Sequence, residues 1–192
     1  MKKMTKEEKA LLLNIAREAI LCQFKNQKMS FPKNLPERLK EKGAAFVTLK
    51  KDGALRGCIG SLEAKKPLFL DVAINANLAA FSDPRFLPLS FSELPKITIE
   101  ISVLTPSRPL VYKDKDDLLR KLDTNLGVIL EKNGRKATFL PQVWEELPQK
   151  TLFLEELALK AGLGKDDWQG ANFAVYEVEK FASQPGFLVL DT

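Results

Sequence analysis

Two tight turns, each following a segment of strand-forming residues, most constrain how this chain can fold. Asp52-Gly53 follows the apolar segment 45–49, and Lys132-Asn133-Gly134 follows residues 128–131. Asp-Gly and Asn-Gly pairs favour the left-handed backbone of short β-hairpins. We therefore predict two antiparallel hairpins, which a regular doubly wound parallel sheet does not contain.

Further helices and strands are predicted around these hairpins. Ile and Val alternate with polar residues over 97–103, as in a half-buried strand. Thr5-Lys6-Glu7-Glu8 has the form of a capping box and predicts a helix in which Cys22 lies on the buried stripe. The other predicted elements are helices over residues 67–81, 114–122, 141–147 and 152–161 and a strand over residues 173–181.

This order of elements predicts an α+β fold with antiparallel sheets flanked by helices. Pro106 and Pro109 break the chain between the two hairpins. We expect a single domain over residues 1–192, with a larger subdomain over about 1–109 plus 169–192 and a smaller one over about 110–168. The last strand then returns to the larger subdomain.

The chain of 192 residues contains no histidine, and this absence limits its chemistry more than any other feature of its composition. It excludes a Ser-His-Asp triad, a Cys-His dyad within the chain and every metal site that needs imidazole. Cys22 and Cys58 are too few for a disulfide framework and too far apart for a self-contained zinc site. We predict no metal site and no cofactor. Any nucleophile must be activated by a cation, a backbone dipole, a carboxylate or a partner's residue.

The net charge of +5 and the pI of about 9.1 raise the question of nucleic-acid binding. Basic residues alternate with acidic ones, as in residues 113–116, and no basic run with interleaved aromatic residues stands out. This pattern favours a mixed, solvated surface over a nucleic-acid interface. No apolar run is long enough to cross a bilayer, and no signal-peptide core follows the charged N-terminus. We therefore expect a cytoplasmic protein without membrane contact.

Six segments, in the same order and at similar spacing, resemble the AMMECR-type domain family. The most specific is Leu55-Arg56-Gly57-Cys58-Ile59-Gly60. The others are Phe46-Val47-Thr48-Leu49, Asp83-Pro84-Arg85-Phe86, Glu100-Ile101-Ser102-Val103-Leu104, Thr138-Phe139-Leu140-Pro141-Gln142-Val143-Trp144 and Lys160-Ala161-Gly162-Leu163. The resemblance extends from about Lys6 to Phe181.

The resemblance implies an architecture and possible partners, but no particular reaction. It implies two subdomains with antiparallel sheets, the larger one containing both termini, and a cleft between them that the cysteine segment faces. Bacterial and archaeal members of the family are also called AmmeMemoRadiSam system protein A. That name pairs them with a Memo-like protein and a radical SAM enzyme, which are therefore possible partners of this chain.

Cys58 is the centre of an enzyme hypothesis. The thiolate is the reactive form of cysteine, and a nearby cation favours it. Side chains alternate along a strand, so we expect Arg56 to face the same way as Cys58 and to act as that cation. Arg85 could join it or clamp an anionic substrate through paired hydrogen bonds. Since histidine is lacking, Asp83 or Glu100 could serve as the proton acceptor.

Three further residues complete the predicted site. Gly57 and Gly60 would let a substrate approach the strand and would offer N–H donors to a developing oxyanion. Asn75, on the helix that follows, would orient the substrate. We expect the thiol, the two arginines and the aspartate to lie around one cleft between the subdomains.

Each of these groups also has a purely structural interpretation. Cys58 could be a small residue in a tight strand, with Arg56 tethering the subdomains through Asp83 or Glu100. Asp83 could instead cap its turn, with Arg85 packed over the neighbouring phenylalanine.

Two pairs outside the strand have structural interpretations as well. Asp71 and Asn75, four residues apart on one helix, could form a solvated face. Trp144 and Trp168 are expected to pack rather than to cage a ligand. Two function classes remain open. One is an enzyme or enzyme subunit that uses Cys58 on a small or peptide-like substrate, and the other is a non-catalytic module for ligand or partner binding.

Overall fold

Helices and strands are numbered along the chain in the computed structural model, which describes residues 3–184 and 186. The helices are α1 (Lys6–Phe24), α2 (Glu37–Lys40), α3 (Leu68–Phe81), α4 (Lys115–Lys121), α5 (Val143–Glu146) and α6 (Lys150–Lys160), with a 3₁₀ helix over Phe91–Lys96. The strands are β1 (Lys42–Lys51), β2 (Ala54–Gly60), β3 (Lys66–Pro67), β4 (Ile97–Leu104), β5 (Arg108–Pro109), β6 (Gly127–Lys132), β7 (Arg135–Phe139), β8 (Asn172–Tyr176) and β9 (Val178–Ala182).

The chain forms two compact units. The first unit consists of the chain up to Leu104 together with the segment that begins at Glu179. The second unit is Thr105–Val178. Each unit has a sheet with antiparallel strand pairs and its own helices, which confirms the predicted α+β class. The second unit is longer than the smaller subdomain predicted over residues 110–168, because β5 pairs with β8 in its sheet.

The sheet of the first unit has the strand order β2-β1-β4-β9, and β3 pairs with the start of β1. Alternate residues of β1 and β4 are buried in a core that α1 and α3 share; among them are Val47, Leu49, Ile97, Ile99 and Ile101. The residues between them point to the opposite side of the sheet. We call that side the polar face; on β1 and β4 it carries Phe46, Thr48, Lys50, Thr98, Glu100 and Ser102.

The capping box predicted at the start of α1 is confirmed. The Thr5 hydroxyl accepts from the Glu8 N–H, and the Glu8 carboxylate accepts from the Thr5 N–H. The prediction that Cys22 is buried is wrong, because this cysteine is only half-buried and lines a surface groove of about 330 Å³ between α1 and α3. Residues of the following loop, among them Met29, line the same groove.

Asp71 and Asn75 of α3 form a buried link between this helix and β1, so the interpretation as a solvated helix face is wrong. Their exposures are only 2% and 3%. Asp71 accepts the Ala45 N–H at 3.0 Å, and Asn75 donates to the Ala45 carbonyl at 3.1 Å. Ser61 donates to Asp71 and accepts from Asn75. Buried polar groups need such partners, and here they fix α3 against the sheet.

A β-bulge interrupts the pairing of β1 with β2. Leu49 pairs with Gly57 and Lys50 pairs with Leu55, so Arg56 is the extra residue. The side-chain alternation shifts at such a bulge. Leu55, rather than Arg56, therefore shares the polar face with Cys58.

The second unit packs its helices on one face of a sheet with the strand order β5-β8-β6-β7. Trp144 stacks on Phe153 at a centroid distance of 3.5 Å, and its Nε1 donates to the Leu126 carbonyl. Trp168 is 1% exposed in the same core. The prediction that both tryptophans are packing residues is confirmed.

The strand predicted over residues 173–181 is two strands, so that prediction is wrong. The chain leaves the ladder at Glu177, whose N–H and carbonyl bond to Thr105. The first part, β8, pairs with β6, and the second, β9, is a neighbour of β4. The apolar pattern is the same on both sides of the break, which is why the sequence suggests one strand.

Among the residues that the structure describes, no helix has the length and apolar character needed to cross a membrane. The same part of the chain holds no group of three or more potential metal-ligating side chains.

Candidate functional site

Cys58 lies on the polar face of β2, directly opposite Thr48 of β1. The Thr48 hydroxyl donates to the Cys58 sulfur across 3.1 Å. Cys58 is half-buried and Thr48 is buried. A hydroxyl donor beside a sulfur atom stabilises negative charge on that atom. This neighbour of the thiol comes from β1, a strand that the sequence analysis did not include in the site.

The turn after α3 closes over the backbone of Cys58. The Cys58 N–H donates to Asp83 Oδ2 across 2.8 Å. Arg85 Nη2 donates to the Cys58 carbonyl across 3.1 Å. Both turn residues thus bind the cysteine itself, so the structure brings three of the predicted site residues together.

Asp83 is held by a set of N–H donors. Besides the Cys58 N–H, it accepts from the backbone N–H, Nε and Nη2 of Arg85. Its side chain is only 2% exposed. These hydrogen bonds, chiefly those from Arg85, hold the pKa of Asp83 well below its usual range. A carboxylate of this kind is a weak proton acceptor and a strong anchor for the turn.

Arg85 is the cation next to Cys58. Hydrogen bonding to Asp83 raises the pKa of Arg85, and the charges of Asp83 and Cys58 act in the same direction. Its side chain is 54% exposed, and its guanidinium lies 5.5 Å from the ring centre of Phe86. The structural interpretation of this turn is therefore also met, since Asp83 accepts the N–H two residues on and Arg85 packs over Phe86.

The hydrogen bonds of Arg56 go to Glu93 and Pro88 rather than to Cys58, which does not support its predicted role as the activating cation. Its Nε and Nη2 bind Glu93 at 2.9 and 3.0 Å, and Nη2 also reaches the Pro88 carbonyl. Glu93 accepts from Lys51 as well. The alternative that Arg56 tethers Asp83 or Glu100 is wrong. The physical reason is the β-bulge, which turns this side chain away from the polar face.

Glu100 lies on the polar face, directly opposite Thr48 on the side away from Cys58. It is 8% exposed and binds two lysines, Lys50 at 3.1 Å and Lys180 at 2.9 Å. Both lysine side chains are more than one-third exposed. Two ammonium groups on one carboxylate leave an excess positive charge around Glu100.

The two glycines of the cysteine segment make room for neighbouring groups of the protein. A Cβ atom on Gly57 would lie 2.1 Å from the Ala79 carbonyl oxygen of α3. A Cβ atom on Gly60 would lie 2.2 Å from the ring of Phe46. The close approach that these glycines permit is therefore that of α3 and of an aromatic ring. Asn75 is likewise committed to the buried link with β1.

Four residues around the site were missed by sequence reasoning: Thr48, Lys50, Glu93 and Lys180. Counting back from the Asp52-Gly53 turn would pair Val47 with Cys58, because the bulge at Arg56 shifts the register. Turn chemistry alone therefore does not identify Thr48. Lys180 could not be found in this way, because its neighbour Glu100 is far away in sequence.

Comparison with known proteins identifies the family to which this chain belongs. The chain belongs to the AMMECR1 family, whose model matches residues 13–181. It is 39% identical over 186 residues to a Methanopyrus kandleri protein, covering 92% of this chain and 88% of that one. It is 42% identical over 169 residues to a Saccharolobus solfataricus protein, covering 82% and 73%.

A solved structure supports the same assignment. The crystal structure of an uncharacterized protein from Pyrococcus horikoshii is similar with a TM-score of 0.86 and 32% sequence identity. The match covers 95% of each chain. The α+β fold is thus shared along nearly the whole length of both chains.

Proposed function

We propose that this protein is an enzyme or enzyme subunit in which Cys58 is the nucleophile toward a small or peptide-like substrate. The observation that carries the proposal is the contact of Arg85 with Cys58. Arg85 Nη2 donates to the Cys58 carbonyl across 3.1 Å, which places a guanidinium group beside the cysteine. The Thr48 hydroxyl lies 3.1 Å from the sulfur. A hydroxyl donor and a nearby cation are both groups that stabilise negative charge on a thiolate.

The neighbouring residues take different roles in this proposal. Arg85, half-exposed, contacts both the cysteine and an anionic or carbonyl group of the substrate. Asp83 is a positioning residue, because it fixes the Cys58 N–H and the Arg85 guanidinium at once. Asp83 is a weak base and Glu100 is engaged by two lysines, so the thiol proton passes to solvent.

The simplest reaction for such a site is acyl transfer. The Cys58 thiolate attacks the carbonyl carbon of an ester or thioester, and a C–S bond forms. The alkoxide or thiolate leaves with the electron pair of the broken bond and takes a proton from solvent. Water then hydrolyses the thioester, releases the acid and restores the thiol. No redox partner is needed.

An activated ester tests this proposal without knowledge of the natural substrate. The protein is mixed with p-nitrophenyl acetate, release of p-nitrophenolate is followed by absorbance, and acetylation of each cysteine is measured by peptide-resolved mass spectrometry. We expect acetyl-Cys58 to form faster than acetyl-Cys22. The released p-nitrophenolate should exceed two equivalents per chain, which is more than single acetylation of both cysteines can release. Cys22→Ser serves as the matched control and should retain turnover, whereas Cys58→Ala should lose it.

Equal and slow acetylation of the two cysteines would contradict this proposal. If both cysteines are acetylated at the same slow rate and release stops at two equivalents, one for each cysteine, Cys58 is a structural cysteine. The non-catalytic alternative then predicts that the Cys58→Ala protein still binds a Memo-like protein or a radical SAM enzyme in a pull-down.

A further inference from the structure

Three strands place a row of side chains across the polar face. Cys58 on β2 lies opposite Thr48 on β1, and Thr48 lies opposite Glu100 on β4. Neighbouring strands are about 4.8 Å apart, so the thiol and the Glu100 carboxylate lie at positions roughly 10 Å apart. The row is bordered on one side by Phe46, whose ring lies against Gly60.

The far end of this row carries cations. Lys50 and Lys180 donate to different oxygens of the Glu100 carboxylate, which is itself buried. Each ammonium group has three N–H donors, and each lysine side chain is more than one-third exposed. Glu100 holds both cations in place but neutralises only one of their charges.

We propose that Lys50 and Lys180 bind an anionic group of the ligand, a carboxylate being the best fit, while Cys58 faces the reacting carbon. The ligand lies along the row, with its anionic end about 10 Å from the thiol and its apolar part against Phe46. This inference rests on the proposed function of Cys58 and narrows the substrate to anionic acyl or peptide-like compounds. A peptide C-terminus or a short dicarboxylic monoester has that length and charge.

The pairing of two lysines with the one carboxylate of Glu100 supports an anion site rather than a simple surface ion pair. A single lysine would suffice to neutralise the charge of Glu100, which is buried. Two lysines on one buried carboxylate instead leave a net positive charge at a fixed place. The N–H groups of the two ammonium ions that do not bind Glu100 can then bind a ligand. Arg85, at the thiol end, is too far along the row to serve the same anion.

Alkylating reagents of graded length test the inference. The probes are N-iodoacetyl derivatives of glycine, β-alanine and 4-aminobutyrate, each compared with its neutral amide. Cys58 displaces iodide from the same carbon in every case, so only the distant charge differs. We expect the carboxylates to label Cys58 faster than the amides, with the largest ratio, about fivefold, for the longest reagent. The ratio at Cys22 should stay near one.

Lysine variants locate the anion site. Lys50→Gln and Lys180→Gln should each reduce the ratio at Cys58, while leaving one lysine on Glu100. Lys40→Gln is the matched control, because Lys40 is 43% exposed and paired with Glu37, as Lys180 is 44% exposed and paired with Glu100. A charge effect should also weaken at high salt. Equal ratios in the wild type, Lys180→Gln and Lys40→Gln would overturn the inference.

A titration of the Cys58→Ala protein separates the anion site from the chemistry of the thiol. Glutarate is added, and the amide resonances of Thr48 and Glu100 are followed by NMR. We expect saturable shifts that disappear in the Lys180→Gln background. No shift would overturn the anion site even if Cys58 is reactive. A shift together with an unreactive Cys58 would support the anion site and contradict the proposed nucleophile.

Discussion

The Oγ1 atom of Thr48 and the sulfur of Cys58 lie 3.1 Å apart as direct partners on neighbouring strands. Because both sit on rigid β-strands, their separation is set by the register of the hairpin rather than by a mobile loop. The reactivity of the thiol should therefore depend on a residue that lies ten positions earlier in the chain.

Replacement of Thr48 by valine tests this dependence. Valine keeps the shape of the side chain but removes the hydroxyl donor, whose loss costs about 1 kcal/mol, or about fivefold in rate. We expect iodoacetamide to label Cys58 more slowly by that factor in Thr48→Val, measured by peptide-resolved mass spectrometry. Thr98→Val, on the same face of β4, should leave the rate unchanged. Equal labelling rates of Cys58 in Thr48→Val and Thr98→Val would show that the Thr48 hydroxyl does not affect the thiol.

The ion pair of Arg56 and Glu93 should contribute to the stability of the fold and not to the reactivity of the Cys58 thiol. Glu93 accepts two hydrogen bonds from Arg56 and one from Lys51. We expect Glu93→Gln to lower the free energy of unfolding by about 2 kcal/mol, measured with urea. Glu37→Gln removes an ion pair at a carboxylate that is 85% exposed and should change it by less than about 0.5 kcal/mol. Slower labelling of Cys58 in a folded Glu93→Gln protein would contradict this division of roles.

The lowered pKa values of Asp83 and Glu93 predict how the stability of the fold responds to acid. Hydrogen bonds from Arg85 lower the pKa of Asp83, and hydrogen bonds from Arg56 lower the pKa of Glu93. A group whose pKa is lower in the folded state contributes stability above its unfolded pKa, about 4, and loses it as the pH falls further. The free energy of unfolding should therefore drop from about pH 4 downward.

Amide substitutions identify the groups responsible for this pH dependence. Asp83→Asn and Glu93→Gln should each flatten the acid limb of the stability curve, since the substituted side chain no longer binds a proton. Asp52→Asn, at a carboxylate that is 65% exposed and 3.8 Å from Lys96, is the control and should leave the slope as it is. An unchanged slope in Asp83→Asn would show that its pKa is not lowered by folding.

Gly57 should tolerate no side chain. A methyl group there would lie 2.1 Å from the Ala79 carbonyl oxygen, so α3 would have to move away from the sheet. We expect Gly57→Ala to lower the free energy of unfolding by about 2–3 kcal/mol. At Gly164 the nearest atom to an added Cβ is a carboxylate oxygen of the half-exposed Asp167 side chain, at 3.0 Å, rather than a backbone atom. Gly164→Ala should therefore cost much less, and equal losses in the two variants would contradict the close packing of α3.

Local turn chemistry explains why much of the fold could be predicted from the sequence. Asp52 and Gly53 have φ angles of 50° and 84°, and Asn133 and Gly134 have 53° and 73°. These left-handed conformations are what such residue pairs favour, so both hairpins follow from short stretches of sequence. The register follows as well for β6 and β7, whose pairing is regular. The cap of α1 is equally local.

The parts that could not be predicted depend on contacts between distant segments. The bulge that redirects Arg56 is visible only in the pairing of β2 with β1. The burial of Asp71 depends on a free backbone N–H at Ala45. The break at Glu177 depends on which sheet each half of the strand joins. Alternation along a single strand carries no information on any of these contacts.

The contact between Arg85 and Cys58 is the central claim, and a comparison of two arginine variants tests it most directly. Iodoacetamide labelling of Cys58 at neutral pH is measured in the wild type, Arg85→Gln and Arg56→Gln, with Cys22 in the same chain as the control for folding. We predict that Arg85→Gln slows labelling of Cys58 about fivefold or more, while Arg56→Gln and the rate at Cys22 stay unchanged. Unchanged labelling in Arg85→Gln, or an equal loss in Arg56→Gln, would contradict the site described for this protein.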